Sequence, residues 1–282
     1  MDWDSEEEAQ ELTPPPANLA EALAALEALG DPERAAAFAK RHKIRREVLG
    51  CAPAELSDLA GAWRAGLSLE ARLNLAEELW QSGSFDARIL ATKLLTQARI
   101  RPDDAAVWDR LTTWVADLDH PLLAEHLARA AERRVSADPE RLEELNAWLS
   151  AENPWHRRSA LLFTLPWTRL AHPKAADEAI LARLLTWAET LTQDDTRLVQ
   201  QAVAQWLREL SRRNPSLVHA FLTEHGRNLP IFARIEAAQL LKEPVIYTQP
   251  EEEAEGDEDD LDADFDDEDW DDEDEDEDNS PR

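Results

Sequence analysis

The chain has one cysteine, Cys51, in 282 residues. An internal disulfide and any multi-cysteine metal site are thereby excluded, and a lone thiol suits a reducing compartment. On sequence grounds Cys51 is a small buried core residue. Glycine is scarce as well: seven in the whole chain, well below the usual share of about 7 %. Runs of alternating β-branched residues are absent, so nothing has the pattern of a strand with one dry face. No apolar run approaches the roughly 18 residues a membrane span needs. The start, Met1-Asp2-Trp3-Asp4, is acidic and lacks a following apolar stretch, which reads against a secretory leader and makes the cytoplasm the expected location. No glycine-rich phosphate loop or nucleophile motif occurs. His120, His126, His172, His219 and His225 show no His-x-x-x-His zinc spacing. Asp103-Asp104 and Asp194-Asp195 read as helix starts, where acids are favoured. No metal and no cofactor are expected.

What the chain has in excess is acid, and the excess is concentrated. The formal net charge is -30, of which residues 251–282 contribute -21 and residues 1–11 contribute -6. The body between them is nearly neutral, at -3 for residues 12–250. A neutral body can still present a basic face if its arginines cluster. Arginine outnumbers lysine 25 to 5. Residues 251–282 repel one another, and Leu261, Phe265 and Trp270 are their only large apolar groups, so a disordered acidic tail is expected there. The resulting division is an acidic, Pro-rich segment at 1–16, a helical domain at 17–243 and the acidic tail at 244–282.

Ala, Leu, Glu and Arg dominate residues 17–242, and these are strong helix formers. An all-α body follows. Its breaks are expected at Leu29 to Pro32, Gly50 to Pro53, Gly66 to Ser68, Ser82 to Ser84, Arg101 to Asp103, Ala137 to Pro139, Asn153-Pro154, His172-Pro173, Gln193 to Asp195, Asn214-Pro215 and Gly226 to Pro230. Asp or Asn directly before Pro is a repeated helix-start signal. Alanine recurs inside apolar helices at Ala91, Ala160, Ala202 and Ala237, with Arg88, Arg157 and Arg234 three residues before three of them. The intervals of 69, 42 and 35 residues fall in or near multiples of a HEAT-like helix pair. Stacked pairs would form a curved solenoid whose inner helices share one face. A non-repetitive helical bundle is the alternative.

The segment Asn153-Pro154-Trp155-His156-Arg157-Arg158-Ser159-Ala160-Leu161-Leu162-Phe163 joins a helix start, an arginine pair and an apolar run. Asn153 is a good N-cap and Pro154 fits the first helical position. The macrodipole is positive at that end, so the arginines call for an anion, and a helix N-terminus can bind one. Pairing with Glu152 or another acid is the plain alternative.

Residues 69–242 resemble the HEAT-like DNA alkylation repair glycosylases, the AlkD-like family. Two stretches carry the resemblance: Trp155 to Phe163, with its Trp-x-x-Arg helix start, and Leu198-Val199-Gln200-Gln201-Ala202-Val203-Ala204-Gln205-Trp206-Leu207-Arg208-Glu209-Leu210 followed by Asn214-Pro215. The resemblance implies a superhelix of helix pairs with a concave DNA-binding face. It also implies excision of cationic purines alkylated at N3 or N7, helped by a carboxylate, two tryptophans and an arginine. Negative charge and aromatic faces stabilise an oxocarbenium-like sugar. Carried over residue by residue, the arginine falls on Arg158. The carboxylate falls on Glu125, with Pro121 at a tryptophan position, or, in a second register led by Trp108-Asp109, on the neutral Thr112. The other tryptophan falls on Gln205, with Trp206 one residue later, about 100° round a helix.

The expected catalytic residues are therefore Glu125 and Arg158. The expected DNA contacts are Arg157, Arg158, Arg197, Gln205, Trp206, Trp108 and Arg234. Trp80, Trp148 and Trp187, amid leucines at helical spacing, are expected in the core, while Trp63 and Trp206, each beside arginine, are the more exposed candidates. DNA is the expected partner of a monomer. The tail would bind the basic face of the body, a basic protein, or serve as a solubilising extension. A non-catalytic HEAT-like scaffold for DNA or protein partners is the competing function.

Overall fold

A computed structural model describes residues 14–246; most of the acidic N-terminal segment and nearly all of the acidic tail lie outside the described residues. Within them the chain is helical throughout, with no strand. The helices are α1 (Leu19–Leu29), α2 (Pro32–Arg41), α3 (Pro53–Gly66), α4 (Leu69–Gln81), α5 (Phe85–Leu95), α6 (Ala105–Trp114) and α7 (Pro121–Ala137). They continue with α8 (Leu142–Trp148), α9 (Pro154–Leu162), α10 (Pro166–Arg169), α11 (Ala175–Leu191), α12 (Arg197–Ser211), α13 (Pro215–His225) and α14 (Ile231–Ala238).

The helix boundaries have local causes. Pro32, Pro53, Pro121, Pro154, Pro166 and Pro215 each sit in the first turn of a helix, where a missing N–H costs nothing. Asn18, Asp31, Asn153 and Asn214 accept backbone N–H groups as N-caps. Each break read from the sequence coincides with an interhelical segment. Two breaks were not read: α6 ends through a short 3₁₀ turn at Val115–Asp117, with α7 starting at Pro121 behind an N-cap made by His120, and α9 ends at Leu162 before α10 starts at Pro166. Gly50 is a backbone requirement. Its φ is +79°, and a Cβ there would meet the Asp31 carbonyl oxygen at 2.4 Å. Only glycine lets this loop pass so close to the start of α2.

The helices stack in two rows. α3, α5, α7, α9, α12 and α14 pack in succession. Behind them α4, α6, α8, α11 and α13 each lie against the next member of that first row. Successive members pack more closely in the first row than in the second, so the stack curves toward the first row, whose uncovered strips form the inner wall. This is the solenoid the sequence pointed to.

The repeat that holds it together is polar and differs from the arginine–alanine spacing. Side chains reach across to a neighbouring unit, preceding or following, at a near-constant sequence separation. Trp80 to Asp117, Trp114 to Glu77, Arg141 to Asp104 and Arg157 to Asp194 are hydrogen bonds across 37 residues. Arg134 reaches the Gln97 carbonyl at the same separation. Between them the tryptophans stack, Trp80 on Trp114 with centroids 4.4 Å apart and an interplanar angle of 1°. The Arg88 guanidinium lies 4.5 Å from the Trp80 ring centroid and donates to the Trp80 and Asp117 carbonyls. Each such bond contributes about 1 kcal/mol net, but a buried donor left unmade would cost more, so the staples fix register as well as adding stability.

Burial corrects two expectations about tryptophan. Trp63 and Trp206 are 1 % and 0 % exposed. A neighbouring arginine in sequence says little about burial when consecutive residues point 100° apart. Trp80 and Trp187 are core as expected, whereas Trp148 is only partly buried and meets His156 and Phe163 edge-on. Cys51 is buried. Its thiol donates to the Leu26 carbonyl, and burial together with the Asp86 charge pushes it up to about 12.

Candidate nucleic-acid interface

α7 shows how the inner wall is made. It is flanked by α5 and α9 and backed by α6, and its residues from Leu122 to Val135 are buried apart from Glu125, Arg129, Glu132 and Arg133. Those four repeat at three-, four- and seven-residue intervals on one strip. α12 leaves a matching strip in Gln201, Gln205, Arg208 and Glu209, continued by its C-cap Arg212. The wall is therefore a mixture of cations and carboxylates.

Arg158 and Glu125 meet there. Arg158 projects from the second turn of α9 and is 2 % exposed. Its Nη1 donates to the Leu198 carbonyl at 2.9 Å, tying α9 to the first turn of α12. Its Nη2 lies 3.7 Å from Glu125 Oε1. Burial opposes the guanidinium charge, and the carboxylates of Glu125 and Glu236 offset it. The Glu125 side chain is 22 % accessible. The arrangement is a carboxylate at the wall held from behind by a buried cation. It does not present Arg158 to a phosphate in the groove, which corrects that part of the expectation.

Two further ionic links cross the wall. Arg169, from α10, lies 3.5 Å from Glu132 of α7 and 3.8 Å from Glu209 of α12. Arg208 of α12 lies 3.6 Å from Glu236 of α14. Burial pushes the Glu132 carboxyl upward, against the pull of Arg169, Arg133 and Arg129.

The other expected residues divide by accessibility. Arg157 is a staple: it donates to Asp194 at 2.6 Å, to the Ala151 and Glu152 carbonyls and to Thr196 Oγ1. Burial pushes the Asp194 carboxyl up, but Arg157 and the Thr196 N–H outweigh it and hold it low. Arg157 thus meets an anion inside the fold, and that anion is Asp194 rather than the Glu152 side chain. Trp108 is 5 % exposed. Its indole donates to Glu144 at 2.7 Å, and Arg141 covers its ring. Trp206 is fully buried and donates to Thr164. Neither tryptophan is available to a base. Gln205 stays on the α12 strip, partly exposed. Arg197 is exposed at the start of α12, 4.2 Å from the Phe232 ring centroid, and Arg234 is partly exposed on α14. Thr112, the carboxylate position in the second register, lies on α6 outside the inner row.

Sequence reading passed over Arg129, Arg133, Glu132, Arg169 and Glu209. The first three were detectable, because they continue from Glu125 along one helical strip. Arg169 was not, since it reaches the wall through tertiary packing alone. Among the described residues no cluster of His, Cys, Asp and Glu suits a metal ion, and no helix is long and apolar enough to cross a membrane.

Comparison with known proteins agrees with this architecture. A family model described as DNA alkylation repair enzyme matches residues 22–241. A solved structure described as a predicted DNA alkylation repair enzyme from Enterococcus faecalis superposes with a TM-score of 0.63 at 19 % identity, covering 76 % of this chain and 98 % of the other. AlkD2 from Streptococcus mutans superposes with a TM-score of 0.55 at 18 % identity, covering 80 % of this chain and all of the other. At such identities the likeness concerns the fold, a HEAT-like stack of helix pairs. No curated protein sequence matches.

Proposed function

The chain belongs to the DNA alkylation repair enzyme family, a DNA repair family, and on that basis we propose that its inner wall binds alkylated DNA and releases cationic N3- or N7-alkylated purines by cleaving the N-glycosidic bond. The observation that carries this reading is the Glu125–Arg158 pair, 3.7 Å apart, with the carboxylate at the groove and the guanidinium behind it. A purine already carrying positive charge is a good leaving group, so acid catalysis is dispensable. What the reaction needs is an anion where the sugar becomes oxocarbenium-like, fixed in place before the bond breaks. Glu125 supplies that anion. Arg158 is its positioning residue: its buried guanidinium faces the carboxylate and ties the carboxylate-bearing helix to α9 and α12. Arg129 and Arg133, one and two turns further along α7, lie where a phosphate backbone would run past the site. Arg197, Gln205 and Arg234 are the further proposed DNA contacts; Arg157, Trp108 and Trp206 act within the fold.

The test is incubation with duplex DNA carrying 7-methylguanine, followed by chromatography of the released base. Release above the spontaneous rate supports the enzyme. Salt-sensitive binding without release would replace it with a DNA-binding scaffold. One observation favours that second reading: Arg169 and Arg208 are each engaged with wall carboxylates, Glu132 and Glu209 for the first and Glu236 for the second, which lessens the positive field of the groove.

A further inference from the structure

Among the described residues the solenoid ends without a polar cap. α14 turns Ala233 and Ala237 into the core, both 0 % exposed, while Ile231 and Ile235 are 55 % and 62 % exposed. The isoleucines are one turn apart, on the side of the helix opposite the two alanines. In the preceding units the next helix pair covers the trailing side of each inner helix. α14 has no described successor, and terminal repeats of solenoids ordinarily carry a polar outer face. Leu240 and Ile246 extend the apolar surface, at 41 % and 74 % exposure.

We propose that this face is covered by the chain's own acidic C-terminal segment, through Leu261, Phe265 and Trp270. The chain leaves the folded body at this end. His219 of α13 hydrogen bonds to the Pro244 carbonyl, and Val245 packs against the core. Fourteen residues separate Ile246 from Leu261, a span of up to about 50 Å when extended. α14, with 8 residues, is only about 12 Å long. A tethered segment that reaches its site so easily has an effective concentration on the order of millimolar. Leu261 and Phe265 share the four-residue spacing of Ile231 and Ile235, and they are two of the three large apolar groups in residues 251–282. Charge argues against a second copy as occupant, since each chain carries -30. The inference is independent of the proposed chemistry at Glu125.

The experiment is hydrogen–deuterium exchange on the full chain, compared with a full-length Leu261→Ala/Phe265→Ala/Trp270→Ala variant. Amides of residues 231–238 are expected to exchange at least about tenfold faster in the variant, with the helical signal and Tm of the body unchanged. A reciprocal variant, Ile231→Ser/Ile235→Ser, alters only exposed side chains and is expected to speed exchange around residues 261–270. Identical exchange in all three proteins overturns the proposal. So does protection of α14 that rises with protein concentration together with a doubled mass, because the occupant would then be a second copy.

Discussion

Arg158 Nη2 lies 3.7 Å from Glu125 Oε1 while Arg158 Nη1 holds the Leu198 carbonyl at 2.9 Å. One buried guanidinium therefore couples three inner helices and orients the carboxylate at the groove. In the proposed reaction a charge placed this way would not need to reorganise as positive charge develops opposite it.

Glu125→Gln keeps the shape and removes the charge. Release of 7-methylguanine is expected to fall on the order of a hundredfold, with DNA affinity changed much less. Single-turnover base release, read beside a binding titration, separates the two. Equal release by the variant and the parent would remove Glu125 from the mechanism.

Arg157 and Asp194 are expected to behave as structural partners. Their side chains are 16 % and 9 % exposed, so breaking the pair leaves a largely buried charge. Arg157→Ala is expected to cost about 2–3 kcal/mol, and a double-mutant cycle with Asp194→Asn to return a clear coupling energy. The salt dependence of DNA binding should not change. A shallower slope in Arg157→Ala would instead make this arginine a phosphate contact.

Gly50→Ala is expected to destabilise the N-terminal units. The residue sits at φ +79°, and its new Cβ would stand 2.4 Å from the Asp31 carbonyl oxygen. Strain of this kind costs about 1–3 kcal/mol and falls on the start of α2. Urea unfolding with an unchanged m-value and a lower midpoint would register it.

Acid should weaken the fold through histidine. His126 is buried, and burial, followed by Arg129 and Lys93, holds it well below its ordinary 6.5. His42, His120 and His156 are lowered in the same direction, each mainly by burial. Below 6.5 the unfolded chain binds these protons and the folded chain does not, so their stabilisation is complete above that pH and is lost as pH falls. One histidine contributes a slope of up to about 1.4 kcal/mol per pH unit. Urea melts between pH 5 and 7 should show a shallower slope in His126→Gln.

Much of the fold was legible because its signals are local. Asn153-Pro154, Asn214-Pro215 and Asp31-Pro32 mark helix starts by capping and fixed φ. The break before α7 was missed although Pro121 announced it, because the N-cap is His120, a residue outside the usual capping set. Of the candidate site, the nearness of Glu125 and Arg158 was legible: the two expected residues lie 3.7 Å apart. Arg157 and Trp206 illustrate the opposite case. Each was read as open to DNA, and each is enclosed by a partner some forty residues away, Asp194 for the one and Thr164 for the other.

The sequence alone determined that the body is helical, where most helices begin and end, and that acid is segregated to the termini, since all of these follow from backbone preferences and composition over a few residues. Tertiary structure decided which arginines are staples, which tryptophans are core and which carboxylate reaches the groove. Those outcomes depend on what lies across a contact about 37 residues away, and burial and charge pairing there arise only when the units stack.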